Sequence, residues 1–192
     1  MPELSRRVQT FTDSVIRRMT RINNMTPGSI NLSQGFPDFD PPQEILNALK
    51  EAAEHGPHQY SITFGAKNFR DALAEMYTKK FARGIDPEKE IVVTCGGTEA
   101  MMAAMMTVCN PGDKVAVFSP FYENYGADAI LSGADPVYVP LVPPDFHYDS
   151  AVLEQAFKDG AKALILCNPS NPCGKVFTRK EAEEIAELAK QY

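Results

Sequence analysis

No stretch of this chain stays apolar long enough to span a membrane. The segment Met1 to Thr20 lacks the apolar core of a secretory leader. Basic charge is not in excess either. The 19 lysines and arginines face 25 acidic residues, the net charge is −6, and the isoelectric point is near 5.1. A broad nucleic-acid surface, which needs a basic face, is therefore disfavoured. The one basic cluster is Arg6, Arg7, Arg17, Arg18 and Arg21, read as a solvated or interface helix face. Cysteine is sparse. Cys95, Cys109, Cys167 and Cys173 contain no CxxC pair, and their spacing fits neither a zinc site nor a disulfide framework. They are expected to be buried free thiols in a reducing compartment, which makes the cytoplasm the default location. Internal repeats, low-complexity tracts, a dinucleotide G-x-G-x-x-G and a P-loop lysine are all missing.

What is present is an ordinary globular composition, 44% hydrophobic and 23% charged over 192 residues, enough for a core. Asp40-Pro41-Pro42 is expected to open a helix, with Asp40 as the cap. Its face would carry Ile45, Leu46, Leu49 and Ala53, and Gly56-Pro57 would stop it. A second helix is expected from the stripe Phe69, Ala72, Leu73, Met76, Tyr77 and Phe81. The pattern then changes. Four strands are predicted, at Ile91–Cys95, Lys114–Ser119, Val137–Leu141 and Ala163–Cys167. Helices follow each of them: Glu99–Val108 after a tight Gly96-Gly97 turn, one ending near Ser132, one capped by Asp149, and one opened by a capping box of Thr178 and Glu181. Strands that alternate with helices and are apolar on both faces predict an α/β fold with a largely parallel sheet. The last helix runs to Tyr192 without a stop signal, and four strands would leave an open sheet edge, so the expectation is an incomplete domain.

Three segments carry the chemistry. Thr94-Cys95-Gly96-Gly97-Thr98-Glu99-Ala100 runs strand, turn, helix. Its unpaired backbone N–H groups, helix dipole and Thr98 hydroxyl make a phosphate cup in principle, although such a turn also serves as a plain connection. Ser119-Pro120-Phe121-Tyr122-Glu123-Asn124-Tyr125 puts aromatics beyond a strand's carboxyl end, where they can stack on a flat ligand or simply pack. Asn168-Pro169-Ser170-Asn171-Pro172-Cys173-Gly174-Lys175 is a stiff loop whose amides can be aimed. A neutral amide donor suits a phenolate oxygen. Upstream, Asn31 to Phe39 reads as an extended arm, and Tyr60 with Phe64-Gly65 as a further loop.

Taken in order, these segments resemble the pyridoxal-phosphate (PLP) aminotransferases of fold type I, class I/II. The resemblance rests on Gly35-Phe36-Pro37-Asp38-Phe39, Gln59-Tyr60 with Phe64-Gly65, Gly96-Gly97-Thr98-Glu99-Ala100, Pro111-Gly112-Asp113, Pro120-Phe121-Tyr122 and the Asn-Pro-x-Asn-Pro-x-Gly element, and it runs from about Asn31 to Tyr192. Cys173 stands where the family often has Thr. The resemblance implies a three-layer α/β sandwich with a mainly parallel sheet, incomplete at its C-terminus. It divides the chain into an arm or small-domain segment over residues 1–40 and the first part of a cofactor-binding large domain over 41–192. It implies that Gly97, Thr98 and Glu99 hold the cofactor phosphate, that Tyr122 stacks on the pyridine, and that Asn171 bonds the phenolic oxygen and helps orient the substrate carboxylate. Tyr60 would cross to the phosphate of a partner subunit in a homodimer. Gly35 and Phe36 would lie at the substrate.

The family's aspartate partner of the pyridine nitrogen, its Schiff-base lysine and its carboxylate-binding arginine are expected beyond Tyr192. Lys50, Lys67, Lys114, Lys158, Lys162 and Lys175 lack the family's lysine context, so no catalytic residue is assigned within the chain. The implied reaction is transamination between an amino acid (aromatic, methionine or aspartate-like) and a 2-oxo acid, with the chain as it stands inactive. A carbon–sulfur lyase or aminocyclopropane-carboxylate synthase-like enzyme of the same fold is the first alternative. A lysine-less binding domain is the second. No metal, nucleic-acid or membrane partner is expected.

Overall fold

The computed structural model describes residues 3–10 and 13–192. The expected 1–40 segment therefore falls partly outside the described residues. The chain divides into two compact units, Asp13–Thr94 and a second made of Met1–Thr12 with Cys95–Tyr192.

Asp13–Thr94 is helical. Helix α1 spans Val15–Asn24 and is capped by the Ser14 side chain, which accepts from Arg17 N–H at 3.2 Å. Arg17, Arg18 and Arg21 lie exposed on it, a solvated face as expected. Helix α2 spans Gln43–His55. Pro42, not Asp40, is its N-cap residue, and no side chain caps it. Gly56, with φ at +65°, ends it as expected. Helix α3 spans Lys67–Phe81, and here the expected stripe is corrected. The fully buried positions are Arg70 and Ala74, while Phe69, Met76 and Phe81 are exposed. The inward face is set by Arg70, which has no exposed surface. Its guanidinium donates to Gly65 O at 3.1 Å and to Pro87 O, and pairs with Glu88 at 3.2 Å. A buried cation needs such a set of acceptors, and that requirement outweighs the apolar periodicity.

Residues Ile91–Cys95 form no strand. One ladder-like bond is made, from Val93 N–H to Phe64 O at 3.0 Å, and it does not extend. Val93 also packs on Gly65, whose φ is +103° and where an added Cβ would sit 2.5 Å from a Val93 methyl. The β-branched run is not buried as a strand would be: Ile91, Val93 and Thr94 are half-buried, Val92 is exposed, and strand formation needs a continuous partner.

The second unit is the layered one. Helix α4 spans Gly96–Val108, strand β1 Lys114–Ser119, helix α5 Asn124–Ser132, strand β2 Asp135–Pro140, helix α6 Ser150–Lys158, strand β3 Ala161–Ile165 and helix α7 Arg179–Gln191. A short 3-10 turn over Arg6–Gln9 packs on α5. The sheet has three parallel strands in the order β2-β1-β3. Lys114 of β1 aligns with Asp135 and with Ala161, so both flanking strands start two residues earlier than their apolar runs alone predict.

Central β1 is buried on both sides. Ala116 and Phe118 face a core of Leu153, Ala156 and Phe157 from α6 and Ile185 from α7. Val115 and Val117 face Met105 and Cys109 from the α4 side and Ala129 from α5. The alternation of a strand thus places one helical layer on each face, the expected three-layer sandwich. Asp149 and the Thr178–Glu181 capping box open α6 and α7 as expected. All four cysteines are free, but only Cys109 is buried; Cys167 and Cys173 are half-buried and Cys95 is exposed. Cys95 and Cys167 lie just outside regular structure, so the core that was expected to cover them does not reach them. Among the described residues no helix is long and apolar enough to cross a membrane.

Candidate active site

Adjacent strands β1 and β3 send their chains to opposite faces of the sheet. The residues after β1 enter α5, which packs with Val115 and Val117, and the residues after β3 lead to α7, which packs with Phe118. Chains that part in this way leave a crevice at the strands' carboxyl ends, the standard ligand position in open α/β sheets. Here the crevice is lined by Phe118, Pro120, Phe121 and Tyr125 on one side and Ile165, Cys167, Ser170 and Asn171 on the other.

The wall after β1 is built from aromatics. Phe121 stacks on Tyr138 of β2, with centroids 5.1 Å apart and planes within 8°. Gly126 makes this possible, since a Cβ there would sit 3.2 Å from the Phe121 ring and from the Tyr138 hydroxyl. Tyr122 is half-buried and meets Tyr125 edge-on, centroids 5.8 Å apart. Hydrogen bonding with Cys167, followed by burial, pushes the Tyr125 phenol up to about 12.

The wall after β3 separates its two asparagines. Asn168 Oδ1 accepts from Phe177 N–H at 3.1 Å, so this amide is part of the loop's own framework. Asn171 is exposed, lines the crevice and carries no side-chain hydrogen bond among the described residues. The turn that carries Asn171 is closed by Ser170 N–H to Lys175 O and Gly174 N–H to Ser170 O, both 2.8 Å.

The start of α4 is exposed from Gly96 through Ala100. The helix is counted from Gly96, whose φ of +81° is the turn itself, so the expected Gly-Gly connection is already the first turn of the helix. Cys95 offers no side-chain cap. A Cβ at Gly97 would meet nothing within 4 Å, so the space over the helix end is open. Asn124 Nδ2 donates to Thr98 Oγ1 at 2.8 Å. With its oxygen already accepting, the Thr98 hydroxyl can turn its own proton outward. Glu99 folds back, its carboxylate accepting from Cys95 N–H.

One unit therefore carries Gly97, Thr98, Glu99, Tyr122 and Asn171, linked through Asn124 and Tyr125. Gly35, Phe36 and Tyr60 belong to the other unit, where all three are exposed, Tyr60 completely. The arm that bears Gly35 is tied at its base, where Gln34 accepts from the Thr20 hydroxyl of α1 at 3.3 Å. Sequence reasoning gave no site role to Asn124 or Cys167, and took Tyr125 only as one of the aromatics that stack or pack. The amide at the first position of α5, beyond a strand's carboxyl end, was the available signal. Lys175 is only 8% exposed and paired with Glu181 at 2.8 Å, so its ammonium is engaged inside the loop. Among the described residues no cluster of His, Cys, Asp or Glu could hold a metal.

The sequence model of the aminotransferase class I and II family matches residues 27–192. The Mycobacterium tuberculosis protein named Probable N-succinyldiaminopimelate aminotransferase DapC is 37% identical over 185 residues, covering 95% of this chain and 46% of the relative. A solved structure of N-succinyldiaminopimelate aminotransferase from M. tuberculosis superposes with a TM-score of 0.89 at 35% identity, over 97% of this chain and 49% of that one. Kynurenine–oxoglutarate transaminase 3 of Mus musculus is 34% identical, with 96% of this chain and 43% of the relative covered. Escherichia coli YbdL, described as having a methionine aminotransferase function, gives a TM-score of 0.91 at 28% identity, over 100% of this chain and 50% of that chain. The chain spans about half the length of the relatives it matches.

Proposed function

The chain belongs to the class I and II aminotransferases, and from that premise we propose that it serves amino-group transfer from an amino acid to a 2-oxo acid with PLP as cofactor. The observation that carries this reading is the crevice. The unpaired amide of Asn171 lines the same cleft as Pro120, Phe121 and Tyr125, and Asn124 joins this wall to Thr98 at the open start of α4. The crevice itself encloses only about 10 Å³, so a ring would lie across its mouth. The groups around it suit a phosphorylated, phenol-bearing pyridine in kind: a helix end with a hydroxyl donor for the phosphate, an aromatic for the ring, and a neutral amide for the phenolic oxygen.

In this reading the backbone N–H groups of Gly97, Thr98 and Glu99 and the Thr98 hydroxyl bind the phosphate. The Glu99 carboxylate, held by Cys95 N–H, is kept from opposing it. Tyr122 covers the ring face. Asn171 donates to the phenolic oxygen and helps orient the substrate carboxylate. Gly35 and Phe36 line the substrate side, and Tyr60 reaches the phosphate of a partner subunit in a homodimer. Residues 1–40 serve as the arm and 41–192 as cofactor-binding domain, and the cytoplasm is the working compartment. When bound, PLP supplies an electron sink for the charge left at the α-carbon after proton removal. No lysine of this chain is assigned the proton transfer, so the 192-residue chain alone is expected to bind the cofactor without turnover. Amino acids with aromatic, thioether or acidic side chains are the proposed substrates; the names of the kynurenine and methionine relatives support the first two of these.

The test is to mix the chain with PLP, reduce with borohydride and map modified lysines by mass spectrometry. Scattered, substoichiometric labelling is expected, together with no turnover of amino acid and 2-oxoglutarate. Stoichiometric labelling at one lysine, lost in Asn171→Ala, would show that the chain builds a complete site and would overturn the assignment.

A further inference from the structure

The loop that presents Asn171 is anchored by a lysine the reaction does not use. Lys175 Nζ pairs with Glu181 Oε1 at 2.8 Å, with the lysine side chain 8% and the glutamate 22% exposed. The same ammonium lies 5.1 Å from the centroid of the Phe177 ring. Glu181 uses its other oxygen, Oε2, for Thr178 N–H at 2.7 Å and the Thr178 hydroxyl at 2.9 Å, the capping box of α7. One carboxylate thus ties the loop to the helix start. Burial is the largest influence on Glu181 and would raise it, but the bonds from Lys175 and Thr178 together outweigh burial and hold the carboxyl below its ordinary value.

A nearly buried ion pair is poor value as a simple fastener, because removing two charges from water cancels much of their attraction and an apolar pair of the same size holds as well. What the pair adds is direction. The loop is pinned at Asn168 by Phe177 N–H, and Ser170 exchanges backbone bonds with Lys175 and Gly174. Only Asn171, Pro172 and Cys173 remain as the tip, and the tip's one free amide is Asn171. A shift of the Lys175 end therefore moves the amide relative to the crevice.

We propose that Lys175, through Glu181, is a positioning residue that aims Asn171 at the phenolic oxygen of a ring bound over the mouth of the crevice. This rests on the reading of the crevice as a PLP site. The probe is pyridoxamine 5′-phosphate, titrated into the 192-residue chain and followed by its affinity and by the pH-dependent ultraviolet spectrum of its phenol when bound. Glu181→Gln is the gentle variant, because Gln also completes a capping box. Lys175→Met keeps the buried stem, and Lys175→Arg keeps the charge.

Glu181→Gln and Lys175→Met are each expected to weaken binding by roughly 3- to 10-fold, the loss of part of a charge-assisted contact, and to move the bound phenol's titration toward that of the free probe. Asn171→Ala should do the same, and Lys175→Arg should restore both readouts. A merely structural loop contact would lower the melting temperature and leave the bound spectrum alone. If Asn171→Ala weakens binding while folded Glu181→Gln matches the wild type in affinity and spectrum, the positioning role is overturned and the site stands. If Asn171→Ala itself changes nothing, the reading of the crevice falls, and this inference with it.

Discussion

The two units of this chain bury themselves by opposite means. Cys95–Tyr192 encloses β1 between two apolar layers, with Val115, Ala116, Val139 and Leu153 wholly shielded. Asp13–Thr94 has no strand, and its most buried large side chain is the cation Arg70, satisfied by two backbone carbonyls and Glu88. The first kind of core is non-directional and follows from periodicity. The second depends on acceptors supplied by residues far apart in sequence, which periodicity does not encode.

The sharpest way to break the comparison is to delete each centre. Arg70→Ala leaves a cavity and frees the carbonyls of Gly65 and Pro87, at a cost of about 3–5 kcal/mol. Hydrogen exchange should accelerate across residues 66–93 and leave 114–119 protected. Leu153→Ala should cost about 2–4 kcal/mol by cavity formation alone and show the reverse pattern. Uniform acceleration in either variant would mean that the units do not hold themselves together independently.

A smaller effect sharpens the contrast from inside the layered unit. Asp128 of α5 is 4% exposed, and its Oδ2 has no hydrogen-bond partner among the described residues, a polar group without the care given to Arg70. Burial raises its carboxyl above the ordinary value. The folded chain then binds this proton more tightly than the unfolded one, so stability is lost as pH rises from the unfolded value through the folded one. Asp128→Asn is expected to raise the melting temperature at pH 7 by about 2–4 °C, the equivalent of roughly 1 kcal/mol in a chain of this size. The gain should vanish below the ordinary aspartate range. A melting temperature unchanged at pH 7, or a gain that grows on acidification, would contradict it.

The same contrast explains how much the sequence discloses. The three strands of the sheet, α4 to α7, the Asp149 cap and the Thr178–Glu181 box were legible because each rests on local pattern or on burial between two layers. Ile91–Cys95 was not, since a strand is defined by a partner that the sequence of that segment does not name. The stripe on α3 misled because a buried arginine chose the inward face. In the site, the residues alone leave either Asn168 or Asn171 free to be aimed, and it is the resemblance that singles out Asn171. The hydrogen bond from Phe177 N–H to Asn168 gives the physical difference between them, a framework amide beside an available one. Asn124 and Cys167 are silent in the sequence because their roles are contacts made only after the sheet has formed, Asn124 with Thr98 and Cys167 on the crevice wall opposite Tyr125.

The most direct test of the central claim is a titration of the chain with PLP, read by hydrogen exchange at residues 96–99 and 168–175 together. The account predicts saturable, one-to-one binding that protects both segments and is weakened by Thr98→Ala and by Asn171→Ala. Protection of neither segment, or binding indifferent to both substitutions, would contradict it.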